Sequence, residues 1–513
     1  MTTIEDVDGG PGTGVTEPAR ERPASAGALR GELCGSGRVG LREATGPPSR
    51  AGRSSHAWAL TTLCVAFFMV ILDTTIVNVA LPSIGRGLGS GVTGLQWVVD
   101  GYTLVFAALL LAGGSACDRL GARRVFLVGL AAFTAGSGLC FLSPSIVALV
   151  AARMGQGIGA AMVLPASLAL IASEFNEPKA RARAIGVWAA VAGGATAIGP
   201  VVGGLLVQLA GWRSIFLVNL PIGVIALLLA AHFVAETSRR PRRFDLPGQA
   251  LAAGGLAALT LALVEAGSLG WGSPLVLGAA AAAAAQGVGF LVVEARASEP
   301  MLPSRLFASA RFSAANLVGL VLNFGIYGQV FVLSLYFQDA RHYSALSTGV
   351  ALLPFAVMTV AGPVAVGRLT ARTGPRAPMV VGQIFAAAGS AALSLASSSS
   401  GYGFLACGLV ALGVGMALTM PSMTSAVVQS APQDLAGVAS GVLNTARQTG
   451  GAIGVAVLGS LVAGPAALIP GLHVGLAIVA AAFAVGALVA FRYVGSERGP
   501  RHNPGTLPYA VPR

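Results

Sequence analysis

An all-α polytopic membrane protein with fourteen spanning helices is the fold class this sequence predicts, on three observations. The chain is apolar throughout: of its 513 residues 10% are charged and 55% hydrophobic, with a mean hydropathy of +0.77, where a soluble domain carries about 25% charge. Its apolar residues are gathered into runs of about 20, the length that crosses a bilayer as a helix. Its basic residues are concentrated in the tails and in alternate connections between those runs, as topology-setting arginines are.

Residues 1–55, rich in Gly, Pro, Arg and Ser, read as a disordered cytoplasmic tail. No cleavable leader is expected, because the first apolar run is itself of spanning length. That run, Trp58 to Pro82, places a carboxylate, Asp73, within its apolar stretch. An acid at the centre of a membrane helix costs roughly 2.5–3.5 kcal/mol on insertion scales, so one retained there is a functional candidate. The spans lie near 57–82, 93–113, 122–142, 145–172, 184–209, 214–235 and 247–266. They continue near 274–294, 312–338, 346–366, 378–397, 403–428, 438–463 and 471–492. An even number puts both termini on one side.

The arginines choose the side. Twenty-seven of the 32 basic residues fall in the two tails and in one alternate set of connections. The opposite set holds only Arg86, Arg213 and Arg341, and two more, Arg153 and Arg447, lie inside helices. The net charge of +12 is therefore topogenic, with both termini cytoplasmic, and no nucleic-acid partner is expected. Trp97, Trp212 and Trp271 fall near the outer edges, where an aromatic belt would place them.

The chain also repeats itself. GSACDRLGARR after the second span matches GRLTARTGPRA after the tenth, with Arg119, Gly121 and Arg123 corresponding to Arg372, Gly374 and Arg376. GIGAAMVLP at 157–165 matches GVGMALTMP at 413–421, and Gly186 and Gly199 match Gly441 and Gly454. Three matches at nearly constant offset divide the chain into a six-helix bundle at 56–236, an inserted helix pair at 237–295 and a second bundle at 296–493. A cytoplasmic tail, 494–513, follows.

Two parallel six-helix repeats with a site between them is a transporter arrangement, and the motifs point to one family. Gly114–Arg124 resembles the signature loop of the major facilitator superfamily. RMGQGIGA at 153–160 resembles its helix-4 motif, and GGATAIGPVVGG at 193–204 the helix-5 motif of its exporters that run as antiporters. LDTTIVNVALP at 72–82 and WVVDGYTLV at 97–105 are similar to the first two helices of the fourteen-helix drug:proton antiporters. The resemblance implies a major facilitator fold of 6 + 2 + 6 helices in a bacterial cell membrane. It implies export of a small amphipathic compound, an antibiotic or drug, in exchange for protons; an ordinary metabolite or inorganic cation is the alternative cargo.

Depth along the helices suggests the chemistry. Asp73, Asp100 and Arg153 each sit about 10–14 Å from the outer ends of their spans, so two carboxylates and a guanidinium could share one buried level. Burial disfavours the charged carboxylate and a nearby guanidinium favours it, so a changing contact with Arg153 would load and discharge a proton. A static ion pair holding helices together would use the same residues. Asp118, Arg119, Gly121, Arg123 and Arg124, with Arg372 and Arg376 of the second repeat, are candidates for a cytoplasmic gate. Ala122 stands where the family often has a further basic residue, and Ala371 replaces the acid in the second repeat.

Gly193, Gly194, Gly199, Pro200, Gly203 and Gly204 line the fifth span with small residues that let helices approach and rock. Asn316, Asn323, Tyr327, Gln329, Tyr336, Arg447 and Gln448 are candidates for the substrate cavity. Arg447 either snorkels to the interface or faces the cavity and favours anionic or hydrogen-bonding cargo.

Other chemistries lack residues. The five cysteines and five histidines are scattered without metal-ligand spacing, and no disulfide framework is expected. GQGIG at 155–159 lies in an apolar helix with no strand before it, so it is not read as a nucleotide loop. No Walker sequence occurs, so ATP is not the expected energy source. No nucleophile–base pair appears, so an enzyme is not expected. A monomer without cofactor, meeting lipid, protons and a small molecule, is the expectation.

Overall fold

The computed structural model describes residues 50–175, 177–237, 246–297, 304–432, 435–464 and 466–495. Both outer tail stretches, with Arg239, Arg240, Arg242 and Arg243, lie outside the described residues.

The regular structure described is helical, as hydrocarbon requires of a backbone that must satisfy its own N–H and C=O groups. The first repeat comprises α1 (Arg50–Leu88), α2 (Val92–Leu120), α3 (Ala122–Leu142), α4 (Ile146–Glu174), α5 (Pro178–Ala210), a short α6 (Ser214–Leu217) and α7 (Asn219–Phe233). The inserted pair is α8 (Leu246–Leu269) and α9 (Pro274–Arg296). After a turn, α10 (Ser304–Phe307), come α11 (Ala310–Leu335), α12 (Ala345–Ala351), α13 (Leu353–Thr373), α14 (Arg376–Leu393), α15 (Tyr402–Ser430), α16 (Ala436–Leu461) and α17 (Leu468–Tyr493).

Among the described residues, eleven helices are long and apolar enough to cross a membrane. The other three expected spans fold as α13, α14 and α16. Two of these carry interior polar groups that lower their hydropathy, Gln383 on α14 and Asn444, Arg447 and Gln448 on α16.

Several boundaries differ from the sequence expectation. Helix α1 runs through Pro82 to Leu88, which membrane helices tolerate when neighbours compensate. Helix α2 extends to Leu120, so Asp118 and Arg119 sit in its last turn and Gly121 alone connects it to α3. The sixth span is interrupted at Val218, near Pro221, which has no N–H to donate to the carbonyl four residues earlier. The ninth ends in a π-helical turn, Tyr336–Ala340. Trp212 is not a belt residue: it is 6% exposed and packs against Gly87, with the Arg213 guanidinium 4.2 Å from its ring.

The repeat seen in the sequence is a repeat of contacts. Helix α1 packs on α5, α2 on α4, and α3 on α4 and α7; α11 packs on α16, α13 on α15, and α14 on α15 and α17. Matching glycines make matching approaches. A Cβ on Gly157 would lie 2.7 Å from the Tyr102 carbonyl oxygen of α2, and one on Gly159 2.5 Å from the Phe133 nitrogen of α3. Their counterparts do the same, Gly413 at 2.7 Å from the Phe355 carbonyl of α13 and Gly415 at 2.7 Å from the Gly382 carbonyl of α14. Without a side chain at these four positions, backbones meet directly, the packing that substitutes for a hydrophobic drive between helices in lipid.

The two repeats meet along α2–α16 and α5–α12–α13. That seam is tight at the end away from the basic loops. There Gln96 Nε2 donates to the Ala456 carbonyl at 2.9 Å, and Gln338 Nε2 to the Val79 carbonyl at 2.8 Å. Gly204 brings its Cα against the Ala345 carbonyl, and Gly349 against that of Pro200. Helix α8 lies along the α2–α16 seam. Trp97 Nε1 donates to Glu265 Oε1 at 3.1 Å, Gln249 donates to the Ala108 carbonyl, and Gly267 packs on Ser460. Toward the basic end the seam loosens: none of residues 185–194 on α5 is buried, whereas Ala195, Gly199, Pro200, Gly203 and Gly204 are.

Candidate functional site

On α1 the hydroxyls of Thr74 and Thr75 and the amide of Asn78 bond back to carbonyls of their own helix. Asp73 has no such local recourse for a carboxylate, and its partners come from other helices. It is fully buried, and Arg153 of α4 is 1% exposed. Arg153 Nη1 donates to Asp73 Oδ2 in a buried ion pair. Asp73 Oδ1 accepts from Asn219 Nδ2 at 2.9 Å and from Gln156 Nε2 at 3.3 Å.

The guanidinium is held equally fully. Its Nη1 also donates to Gln156 Oε1 at 2.7 Å, its Nε donates to the Val98 carbonyl at 3.2 Å, and its carbon lies 4.3 Å from the centre of the Tyr102 ring. Ser137 of α3 accepts from Gln156 at 2.7 Å and donates to the Phe133 carbonyl at 2.9 Å. The network therefore ties α1, α2, α3, α4 and α7. Burying two charges costs several kcal/mol per ion, offset only where the remaining lone pairs and protons find partners. Here both charged groups find them.

Asp100 stands apart from this cluster. It is fully buried on α2, but neither carboxylate oxygen has a hydrogen-bond partner among the described residues. It lies one turn from Gln96, on the stripe of α2 that meets α16 across the seam. The expected three-member cluster is thus a pair plus an isolated acid at the junction of the repeats. Asn219, Gln156 and Ser137 were not singled out from the sequence. A signal existed for Gln156, three residues after Arg153 on the same helix face.

The gate candidates gather at the basic end. Gly121 adopts φ +94° and its counterpart Gly374 φ +77°, a region that costs residues with a Cβ about 1–2 kcal/mol. The Ala122 N–H donates to Thr237 Oγ1 at 2.8 Å, Arg123 donates to the Ala231 carbonyl at 2.6 Å, and Arg124 lies 3.6 Å from Glu236. Arg376, the counterpart of Arg123, stacks over Phe491 of α17 at 4.4 Å, while Arg372 is exposed. Arg123 and Arg376 thus each anchor to the last helix of their own repeat. Glu236 and Thr237, just beyond α7, were missed by sequence reasoning because they follow the span rather than the motif. Gly121→Ala is expected to lower the unfolding temperature, for a cost of about 1–2 kcal/mol from φ and a clash with Glu236; thermal unfolding of the purified protein checks it.

The helix-5 glycines divide by task. Gly199 and Gly203 pack on Thr75 and Ile76 of α1, Gly204 and Pro200 meet α12 across the seam, and Gly193 and Gly194 face open space. Near the basic end of α1 and α5, Leu60, Cys64, Val65, Phe68, Val187 and Val191 line an apolar groove.

The substrate-cavity candidates also divide. Tyr336 is buried and donates to the Ser397 carbonyl at 2.6 Å, and Gln329 accepts from Ser390 at 3.1 Å, so both serve packing within the second repeat. Asn316, Asn323 and Tyr327 stay together on the stripe of α11 that meets α16, where Gly319 packs on Arg447 and Tyr327 on Gly451. Gln448, next to Arg447, is buried.

Comparison with known proteins agrees with this architecture. Residues 63–455 match the model of the Major Facilitator Superfamily. The chain is 38% identical to a methylenomycin A resistance protein of Bacillus subtilis, over 86% of this chain and 95% of that one. It is also 38% identical to a tetracenomycin C resistance and export protein of Streptomyces glaucescens, over 80% and 77%. Among solved structures, a POT family transporter in complex with 5-aminolevulinic acid superposes with a TM-score of 0.65 at 14% identity, covering 84% of this chain and 94% of that one. The human organic anion transporter MFSD10 gives 0.59 at 17%, covering 87% and 100%; at such identities the likeness concerns the fold. With the helix-4 glycines repeated in both halves and relatives matched over most of its length, this chain belongs to the Major Facilitator Superfamily.

Proposed function

We propose that this chain is a proton-coupled antiporter that exports small amphipathic compounds of the antibiotic or drug type. The observation that carries the reading is the sealed Asp73–Arg153 pair: an acid and a base, fully hydrogen-bonded, in the interior of a bundle of apolar helices. An acid kept at that cost is of use when its partner can move, because protonation and separation from Arg153 then become one event. The export and resistance names of the similar proteins support the direction of transport and the type of cargo.

In this reading fourteen helices span the membrane as six, an inserted two and six, with domain limits at 56–236, 237–295 and 296–493. The arginine-rich end is cytoplasmic, and so are both termini. The seam closed by Gln96, Gln338, Gly204 and Gly349 is then the outer gate, and the uncovered strip of α5 opens toward the cytoplasm, a form ready to take cargo from inside. The protein works as a monomer in a bacterial cell membrane.

Inverted vesicles from expressing cells test it. A fluorescent amphipath such as N-phenyl-1-naphthylamine or 8-anilinonaphthalene-1-sulfonate should accumulate inside them while respiration maintains a proton gradient, and leak out when an uncoupler is added. A gradient of 100 mV gives about 2.3 kcal/mol per charge, so one proton supports accumulation of a neutral solute by about 40-fold. Accumulation indifferent to the uncoupler would end the proposal. Drug-resistance profiling beside pH-jump flux of metal ions separates drug cargo from a metabolite or inorganic cation.

A further inference from the structure

Among the described residues of the second repeat, one positive charge inside a helix has no acid beside it. Arg447 is the twelfth residue of α16, about 16 Å along the helix from its start. Its Nη1 donates to Asn444 Oδ1 at 3.2 Å and its Nη2 lies 4.0 Å from the Met420 sulfur, while its Nε is buried without a partner. Among the described residues from 304 to 495 there is one carboxylate, Asp339, which sits at the far end of the molecule beside Arg86. Asp100, on the neighbouring repeat, has no donor on either oxygen, so it does not serve as the counter-ion.

The surroundings of Arg447 complete a recognition surface. Gly319 of α11 lies directly beneath its side chain, with a notional Cβ 3.3 Å from the Arg447 Cγ, so the glycine leaves the room that the guanidinium stem occupies. One turn further along the same stripe is Asn323, 1% exposed, whose Nδ2 has no acceptor. One turn the other way, Asn316 Oδ1 has no donor. Arg153 in the first repeat satisfies its guanidinium with a carboxylate, an amide and a carbonyl. Arg447 offers the opposite case, a half-buried cation to which the described residues supply one amide oxygen and a thioether.

We infer that Arg447, with Asn323 one turn along α11 from the glycine it packs on, binds the acidic group of the cargo, so that the exported compounds are amphipaths carrying a carboxylate, sulfonate or acidic enol. This rests on the exporter reading and narrows it. An unpaired guanidinium in a low-dielectric interior gains most from a ligand that brings its own negative charge, and a planar fork suits an oxyanion. Asn323 Nδ2 supplies a second donor, and Asn316 Oδ1 an acceptor for a hydroxyl on the same ligand.

A matched pair of probes tests the inference. 8-Anilinonaphthalene-1-sulfonate and N-phenyl-1-naphthylamine share one skeleton and differ by the sulfonate. Binding of each to the full-length protein in nanodiscs, corrected against empty nanodiscs, should favour the sulfonate by about tenfold or more, the scale of a charge-assisted hydrogen bond. Arg447→Gln should bring the ratio of the two affinities close to one, Arg447→Lys should keep its sign, and Asn323→Ala should reduce it severalfold. Equal affinities in the wild type, an undiminished ratio in Arg447→Gln, or an equal loss for both probes would overturn the inference. If Arg447→Gln fails to fold, the Arg447→Lys and Asn323→Ala ratios decide. Proteoliposome transport separates the two readings. Proton-driven movement of the neutral amine with no sulfonate preference would sink the anion site and leave the antiporter. An Arg447-dependent preference without proton dependence would sink the antiporter and leave the site.

Discussion

Asp73→Asn is expected to abolish gradient-driven accumulation of cargo, a fall of about 40-fold for one coupled proton at 100 mV. The amide fills the same space and still accepts from Asn219 or Gln156, so the site keeps its shape while losing the group that can exchange a proton. It also leaves Arg153 buried without its counter-ion, and breaking one side of such a pair costs about 3–5 kcal/mol. A loss of transport in the single variant is therefore open to a trivial explanation. The double variant Asp73→Asn with Arg153→Gln removes it. Two neutral groups then face each other within the same network of Gln156, Asn219 and Ser137, and the unfolding temperature should recover toward that of the wild type. Accumulation should not recover. Were the double variant both stable and active, the pair would be a structural clasp and the proton would travel elsewhere.

Asp100 offers the contrast. No donor contacts its oxygens, so Asp100→Asn orphans no partner and should leave the unfolding temperature unchanged or raise it. If proton coupling nevertheless fails in that variant, the acid at the seam between the repeats shares the task with Asp73. Full coupling would confine it to the first repeat's interior.

The repeat, the spans and the depth of Asp73 and Arg153 were legible in the sequence because a bilayer imposes length and polarity on each helix independently of its neighbours. Constant offsets between Gly157 and Gly413, or Gly121 and Gly374, carried the same information about pairs of helices. The companions of the ion pair were harder to see. Asn219 comes from a helix 146 residues away and reaches Asp73 because of where the sixth span is interrupted, which hydropathy does not encode. Asp100 matched Asp73 in depth, yet depth says nothing of azimuth, and it proves to face α16 rather than Arg153. Gln329 and Tyr336 shared a polar helix with Asn323, but only the packed structure separates the stripe that meets α16 from the one that meets α14. Polar residues along α11 thus announced a function for the helix without saying which of them carries it.

The larger structural effect should come from the seam proposed as the outer gate. At Gly204 a Cβ would stand 2.5 Å from the Ala345 carbonyl oxygen and 2.6 Å from the Leu346 Cα, and at Gly349 it would run into the Pro200 carbonyl. Each obstacle is backbone, so no rotamer change relieves it. Gly204→Val or Gly349→Val must instead push α5 and α12 apart, and only the form with a closed outer end suffers. The folded bundle of each repeat is untouched, because neither glycine packs within its own bundle. A penalty of about 3 kcal/mol against the closed form would shift a two-state equilibrium by more than 100-fold toward the outward-open one, and export should fall with it while the protein stays folded. The readout is accessibility. A cysteine placed at Val202 or Leu346, in a background where Cys407 is replaced, should react with an impermeant maleimide from outside much faster in the valine variants than in the parent. Slow labelling together with normal export would show that α5 and α12 part at some other point, and that these glycines answer only to packing.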